Sequence, residues 1–424
     1  MKKQWFPILW IIVMILSGCS AAPTPQPTIV VDAQIEARME RVEQGLIPIT
    51  MQGEIESWEP QGLLDRMQHY QVPGIGIAVI QDFQIEWAKG YGVLREGGAD
   101  PVTTESLFHA GSVAKPVSAA ATLTLVERGL LDLDANVNGS LQSWQVPDNE
   151  FTVDEKVTLR RLLSHSSGIQ DGFTNRSSSD SIPTYAVPAG EVPTVTLQEL
   201  LDAEHSVDVD ERTRVTTVPG ASYRYANANY AILELLITDV LQQPYSEFMH
   251  ETVLEPLGMT SSTFEQPLPG DLRRRATTEH DSMGHPMEGE RLHFPFLAAG
   301  GLWTTSSDLA VFAVEIMNAY QGMSDALLDP AFVQAMVAPQ IATLDNAFGH
   351  SYGLGFHLGG EGQDLLLFHT GGTWGSTCLI WLYPERGQGA IIMTNSASWE
   401  GAIRFEILIS LAMEYGWPLA VPGS

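Results

Sequence analysis

Strand patterns at both ends of the chain, with helical patterns between them, constrain its fold more than any other feature. Near the start, Gly74-Ile75-Gly76-Ile77-Ala78-Val79-Ile80 is a compact apolar run, and Gln84 to Tyr91 follows after a short turn at Gln81-Asp82-Phe83. Two such runs across a short turn predict a hairpin. In the last quarter, Tyr352 to Leu358, Leu365 to His369, Thr377 to Tyr383 and Gly389 to Thr394 predict successive antiparallel strands. Ala402 to Met413 predicts a final helix. The pattern points to an α/β fold with one antiparallel sheet built from both termini and flanked by helices. A mainly helical lobe, at about 130–300, is inserted between the two halves.

Within the middle, Thr158 to His165, Tyr230 to Gln242 and Tyr245 to Leu254 read as helices, and Thr196 with Glu199 forms a capping box. A longer helix runs from about Ser112 to Arg128, where Gly129 stops it. Pro116 fits inside its first turn, where amides lack intrahelical partners. Ser166 to Thr194 is rich in Ser, Pro and Gly and reads as a long loop on the rim of a site.

The N-terminus reads as an address. Lys2 and Lys3 precede an apolar run from Trp5 to Leu16, too short to span a bilayer comfortably, and Leu16-Ser17-Gly18-Cys19 follows. This resembles the signal of bacterial lipoproteins. It implies a signal peptide at 1–18, lipid on Cys19, a tether through residue 50, and a catalytic domain at 51–417. The chain would then be exported and held at a membrane, facing the periplasm or the exterior. Cys378, the other cysteine, sits in an apolar strand-like run and reads as a small buried hydrophobe. The net charge of −29 argues against nucleic acid as a partner, because phosphate binding needs a basic face.

The chemistry centres on Gly111-Ser112-Val113-Ala114-Lys115. Serine and lysine three residues apart at a helix start share one helical face. An amine at that distance can take the hydroxyl proton and make the serine a nucleophile. The serine's own backbone N–H, at the positive end of a helix, is available to an oxyanion. Tyr223-Arg224-Tyr225-Ala226-Asn227 precedes a helix, and Phe368-His369-Thr370-Gly371-Gly372 ends a strand, with glycines that let a substrate approach the backbone.

Taken in order, Ser112-x-x-Lys115, Tyr225-x-Asn227 and His369-Thr370-Gly371 resemble the three motifs of the penicillin-recognising serine hydrolases. The subgroup is that of class C beta-lactamases, D-alanyl-D-alanine carboxypeptidases and related esterases. Leu162 to Gly168, Glu255 to Met259, Ala299 to Leu302 and Tyr352 to Gly355 resemble its connecting segments. The resemblance implies a beta-lactamase/transpeptidase-like fold and hydrolysis of an ester or amide through a Ser112 acyl-enzyme. It needs no metal or cofactor. The expected substrate is a small molecule or peptide of D-amino-acid, ester or beta-lactam type.

The resemblance also implies roles. Lys115 and Tyr225 would move protons, either of them serving as the acylation base. Asn227 would bond Lys115 and a substrate amide. His369, Thr370 and Gly371 would line the substrate, and the N–H groups of Ser112 and Gly372 would form the oxyanion hole. Histidine at 369, where class C beta-lactamases usually carry lysine, is charged only part of the time near neutral pH. That favours a carboxypeptidase or esterase over a true beta-lactamase. Two other outcomes share the same serine: a penicillin-binding or sensor protein without turnover, and an acyltransferase. Other chemistries find little footing. There is no H-E-x-x-H. His280 and His285 are expected to face solvent, and His165 to pack or fix a loop. Oligomeric state is left open.

Overall fold

The computed structural model describes residues 32–50, 54–170, 186–188, 193–203, 212–343, 349–397 and 402–418. Cys19, the lipoprotein-like segment and most of the Ser166–Thr194 loop lie outside them. Eight strands form one antiparallel sheet, in the order Gln84–Gly92, Gly74–Gln81, Gln388–Thr394, Thr377–Tyr383, Leu366–Gly372, His357–Gly359, Ser351–Tyr352 and Ile341–Ala342. The N-terminal hairpin joins the C-terminal strands directly, with Ile75 opposite Thr394 and Val79 opposite Ala390. The two halves of the sequence therefore meet between the second and third strands of this order.

Alternation along these strands builds two cores. Ile75, Ile77 and Val79 face one side with Leu379, Trp381 and Ile392, against helices Ala33–Gln44, Leu63–His69 and Ala402–Tyr415. Ala78, Ile80, Cys378, Ile380 and Leu382 face the other, against helices Ala114–Glu127, Asn227–Leu241 and Ser306–Tyr320. Successive side chains point to opposite faces, so a strand covered on both sides reads as continuously apolar. On the first side the buried Glu406 carboxylate accepts bonds from Arg66 Nε and Nη2 (both 2.8 Å), Tyr70 Oη (2.8 Å) and the Ile49 amide (3.1 Å). These tie the last helix to the N-terminal segments. The Thr196 capping box forms, with Thr196 Oγ1 accepting from the Glu199 amide and the Glu199 carboxylate accepting from the Thr196 amide.

Two expectations fail. Tyr352 to Leu358 is not one strand. Tyr352 and His357 face each other across a tight turn that the Gly353 amide closes on the Phe356 carbonyl (2.9 Å). Gly355 sits at φ +99°, a conformation that glycine adopts without strain. A Cβ on Gly353 would lie 2.4 Å from the Met336 carbonyl oxygen. His280 does not face solvent. It is fully buried, with Nδ1–H donating to the Asn395 carbonyl (2.8 Å) and Nε2 accepting from the Glu96 amide (3.0 Å). Bonds to the backbone of two distant segments outweigh the polar look of the local sequence. Its neighbour His285 is exposed and pairs loosely with Asp281.

Candidate active site

Ser112 lies in a 3-10 turn, Gly111–Val113, that runs straight into the helix Ala114–Glu127. Gly111 enters the turn at φ +52°, and a Cβ there would lie 2.7 Å from the Gly372 amide nitrogen. A Cβ on Gly371 would lie 2.0 Å from the Ala110 carbonyl oxygen. The Ser112 turn and the end of strand Leu366–Gly372 are thus in backbone contact, and glycine at both places permits it. The first and third motifs meet here, with the amides of Ser112 and Gly372 on adjoining segments.

Lys115 is fully buried one turn beyond the serine. Its Nζ stands 3.0 Å from Ser112 Oγ, 2.6 Å from Asn227 Oδ1 and 2.7 Å from the Ala299 carbonyl oxygen. The same nitrogen is 4.9 Å from the centroid of the Tyr225 ring and 5.6 Å from that of Tyr230. Asn227 opens the helix Asn227–Leu241, and so the second motif reaches the lysine. Glu234, seven residues along that helix, accepts the amides of Leu297 (2.6 Å) and Ala298 (2.8 Å). This holds the short helix Leu297–Gly300, whose Ala299 carbonyl meets Lys115. Burial pushes the Glu234 carboxyl up to about 8, against the pull of those two amides.

Three partners match a lysine in either charge state. An ammonium donates to all three oxygens. A neutral amine has two N–H groups and one lone pair. Asn227 Oδ1 and the Ala299 carbonyl can only accept, so they claim the two N–H groups. The lone pair is then left facing Ser112 Oγ–H. A proton can cross the 3.0 Å line between serine and lysine without any heavy atom changing partner.

His165 holds the second motif in place. Its backbone has φ +54°, its carbonyl accepts the Arg224 amide (2.8 Å), and its Nδ1 accepts the Ala226 amide (3.3 Å). Both neighbours of Tyr225 are therefore fixed on one residue, whose ring lies 4.3 Å from the Tyr225 ring. The expectation of a loop-fixing histidine understated this: the loop that it fixes is the one carrying the site tyrosine. Burial, then Lys115, holds the His165 imidazole well below its usual range, so the ring is neutral.

His369 departs from the half-charged group expected. Burial, then His357 and Lys115, holds it well below the usual histidine range. Its Nδ1 is 2.7 Å from the Thr370 carbonyl oxygen and must donate to it, while Nε2 stands 3.1 Å from Tyr352 Oη, whose hydroxyl also reaches the Gly355 carbonyl oxygen at 3.2 Å. Both ring nitrogens are engaged within the protein. Thr370, the next residue, is exposed. Of the third-motif strand, His357–Gly359 pairs with Leu366–Phe368 alone, while strand Thr377–Tyr383 accompanies Leu367–Gly372 on the other side. Beyond Phe368, one edge of the third-motif strand has no strand neighbour among the described residues. An edge of this kind can take an extended substrate by backbone hydrogen bonds.

One further set of residues, absent from the sequence reading, supports the site. His109 and Glu279 are fully buried, 170 residues apart in sequence. His109 Nε2 is 2.8 Å from the Gly300 carbonyl oxygen, and Nδ1 is 3.3 Å from Glu279 Oε1. Burial alone would raise the Glu279 carboxyl, but His109, Thr373 and the Leu292 amide together hold it below the usual range. No local periodicity marks such a pair. Among the described residues, no three or more His, Cys, Asp or Glu side chains converge to hold a metal ion.

The beta-lactamase family profile matches residues 61–412. The chain belongs to the beta-lactamase family and has the fold of its serine hydrolases and penicillin-binding proteins. It is 25% identical over 338 residues to "Protein flp" of Staphylococcus aureus, a match covering 78% of this chain and 61% of that protein. The chain thus spans about three-fifths of the length of that relative. The octameric penicillin-binding protein homologue from Pyrococcus abyssi superposes with a TM-score of 0.67 at 25% identity, over 84% of this chain and 76% of the other. The D-amino acid amidase from Ochrobactrum anthropi SV3 gives a TM-score of 0.64 at 21% identity, over 83% and 97% respectively, which speaks for the fold alone.

Proposed function

We propose that this protein hydrolyses an ester or amide of D-amino-acid type through an acyl-enzyme on Ser112. The observation that carries the reading is the placement of Lys115 Nζ, held by two acceptors that cannot donate and 3.0 Å from Ser112 Oγ. Neutral Lys115 takes the serine proton as Oγ adds to the substrate carbonyl. The developing oxyanion is received by the amides of Ser112 and Gly372. Tyr225 passes a proton to the leaving group as the tetrahedral adduct collapses and recovers one from the protonated Lys115. Water then repeats the sequence on the acyl-enzyme. Asn227 steadies Lys115 throughout, and the free strand edge at His369–Gly372 receives the substrate backbone, with Thr370 beside it.

The neutral, doubly engaged His369 argues against a tight hold on a substrate carboxylate, and so against efficient beta-lactam hydrolysis. The likeness, at 25% identity, to a penicillin-binding protein homologue supports acyl-enzyme chemistry of this type. The Lys2-Lys3, apolar and Cys19 sequence supports a lipid-anchored enzyme outside the cytoplasmic membrane. Metabolic labelling with a palmitate analogue, lost in Cys19→Ala, tests that part.

A side-by-side rate screen of the detergent-solubilised chain tests the activity, using short p-nitrophenyl esters, a D-Ala-D-Ala peptide and a chromogenic cephalosporin. The proposal expects steady turnover of an ester or of the D-peptide, faster than of the cephalosporin. A stable adduct with no turnover of any of the three would establish the sensor reading instead. Product analysis with an added alcohol or amine separates acyl transfer from hydrolysis.

A further inference from the structure

The two candidate oxyanion amides lie on separate segments, 260 residues apart in the numbering, and their spacing must be held to a fraction of an ångström to bind a tetrahedral oxygen. Backbone contact at Gly111 and Gly371 sets their approach. Something must also set their orientation. His109 lies on the two-residue strand Phe108–His109, three positions before Ser112, and its ring stacks on Trp303 at 4.8 Å. Thr373 directly follows Gly372. Its Oγ1 donates to Glu279 Oε1 (2.5 Å) and accepts the amides of Gly375 (3.2 Å) and Ser376 (2.9 Å), which shapes the turn between the third-motif strand and its partner. Glu279 Oε2 accepts the Leu292 amide (2.7 Å).

We propose that His109, Glu279 and Thr373 form a buried strut that positions the oxyanion hole, joining the nucleophile turn to the turn after Gly372. One Glu279 oxygen serves both ends, lying 3.3 Å from His109 Nδ1 and accepting a hydrogen bond from the Thr373 hydroxyl. The other end of the His109 ring grips the Gly300 carbonyl, next to the Ala299 carbonyl that holds Lys115. The strut therefore touches the supports of the nucleophile, the base and the oxyanion donors at once. All three side chains are buried, with Thr373 4% exposed and the other two at 0%. They act through the backbone and are positioning residues. The inference rests on the Ser112 acyl-enzyme reading and adds to it what fixes the geometry.

The test is turnover of a p-nitrophenyl ester by the full chain carrying Thr373→Val, Thr373→Ser, Glu279→Gln or Ser112→Ala. Valine keeps the shape of threonine and removes only the hydroxyl, so the fold is retained. An offset approaching 1 Å costs on the order of 100-fold, so Thr373→Val should lower kcat about 10-fold or more with KM within about twofold. Thr373→Ser should restore most of the loss. Glu279→Gln, which keeps the shape but replaces one accepting oxygen by a donor, should fall between them. Unchanged kcat in Thr373→Val, or a fall in melting temperature alone, overturns the strut while leaving the acyl-enzyme reading intact. Full turnover in Ser112→Ala overturns both.

Discussion

Adding a single methyl group at Gly371 is the sharpest structural test of how the third motif meets the nucleophile. The Cβ of Gly371→Ala would fall 2.0 Å from the Ala110 carbonyl oxygen and 3.1 Å from the Val113 amide nitrogen. A carbon approaches a carbonyl oxygen comfortably at about 3.3 Å, so the two segments must separate by roughly 1 Å. Both atoms struck are backbone, and no side chain can swing away to absorb the clash. Gly372 and its amide move with Gly371, away from the Ser112 amide. Loss of one oxyanion donor costs on the order of 100- to 1,000-fold in kcat, and a 1 Å misplacement about 100-fold. The expected result is a kcat at least about 100-fold lower, roughly 2.7 kcal/mol on the barrier, with KM changed little. Steady-state kinetics on a p-nitrophenyl ester reads this directly, with circular dichroism to show that the variant is folded. Gly139→Ala is the control, because a Cβ there meets nothing within 4 Å. A Gly371→Ala enzyme that keeps more than about a third of the wild-type kcat would refute the reasoning.

Other expected outcomes follow from the same geometry. Lys115→Ala removes the proton acceptor and should slow acylation roughly 100- to 10,000-fold, while Tyr225→Phe should slow leaving-group departure within the same range; stopped-flow kinetics on an activated and an unactivated ester separates the two steps. Glu406→Ala strands the buried Arg66 guanidinium and should cost about 3–5 kcal/mol in urea unfolding, with kcat unaltered because the pair lies on the far side of the sheet from Ser112. His357, His165 and His369 all have folded pKa values below that of an unfolded histidine, His357 at about 4. The unfolded chain then binds more protons in that window, so their stabilising contribution is full above about pH 6.5 and is lost as pH falls toward 4. His357→Gln should flatten the decline by up to about 1.4 kcal/mol per pH unit, and an unchanged slope in urea melts between pH 7 and 5 would contradict the assignment.

Much of the sheet was legible because its strands announce themselves locally. The apolar runs Gly74 to Ile80 and Thr377 to Tyr383 reflect burial on two faces, a property that each residue carries in its own side chain. The capping box at Thr196 and Glu199 was legible for the same reason. Features built by distant partners were not. Gly353 and Gly355 looked like small residues in an apolar strand, because the carbonyl of Met336 that requires a turn there lies in another segment. His280 looked solvent-facing because its neighbours are polar, whereas its bonds go to Glu96 and Asn395, more than 100 residues away on either side. The neutral state of His369 depends on burial and on His357 and Lys115, none of them readable from His-Thr-Gly. The His109–Glu279 pair joins two stretches with no shared pattern. In the candidate site, residue types and their order could be read from the sequence, while charge state and the supporting contacts arise only when the segments meet.

The account depends most on one oxygen atom. Full-length protein treated with a fluorophosphonate and digested for peptide mass mapping should carry the phosphonyl group on Ser112 alone. The Ser112→Ala protein should carry none, and Lys115→Ala should label far more slowly than wild type. Phosphonylation of any other residue at a comparable rate, or of Ser112 at the same rate without Lys115, would contradict the claim that this lysine makes this serine a nucleophile.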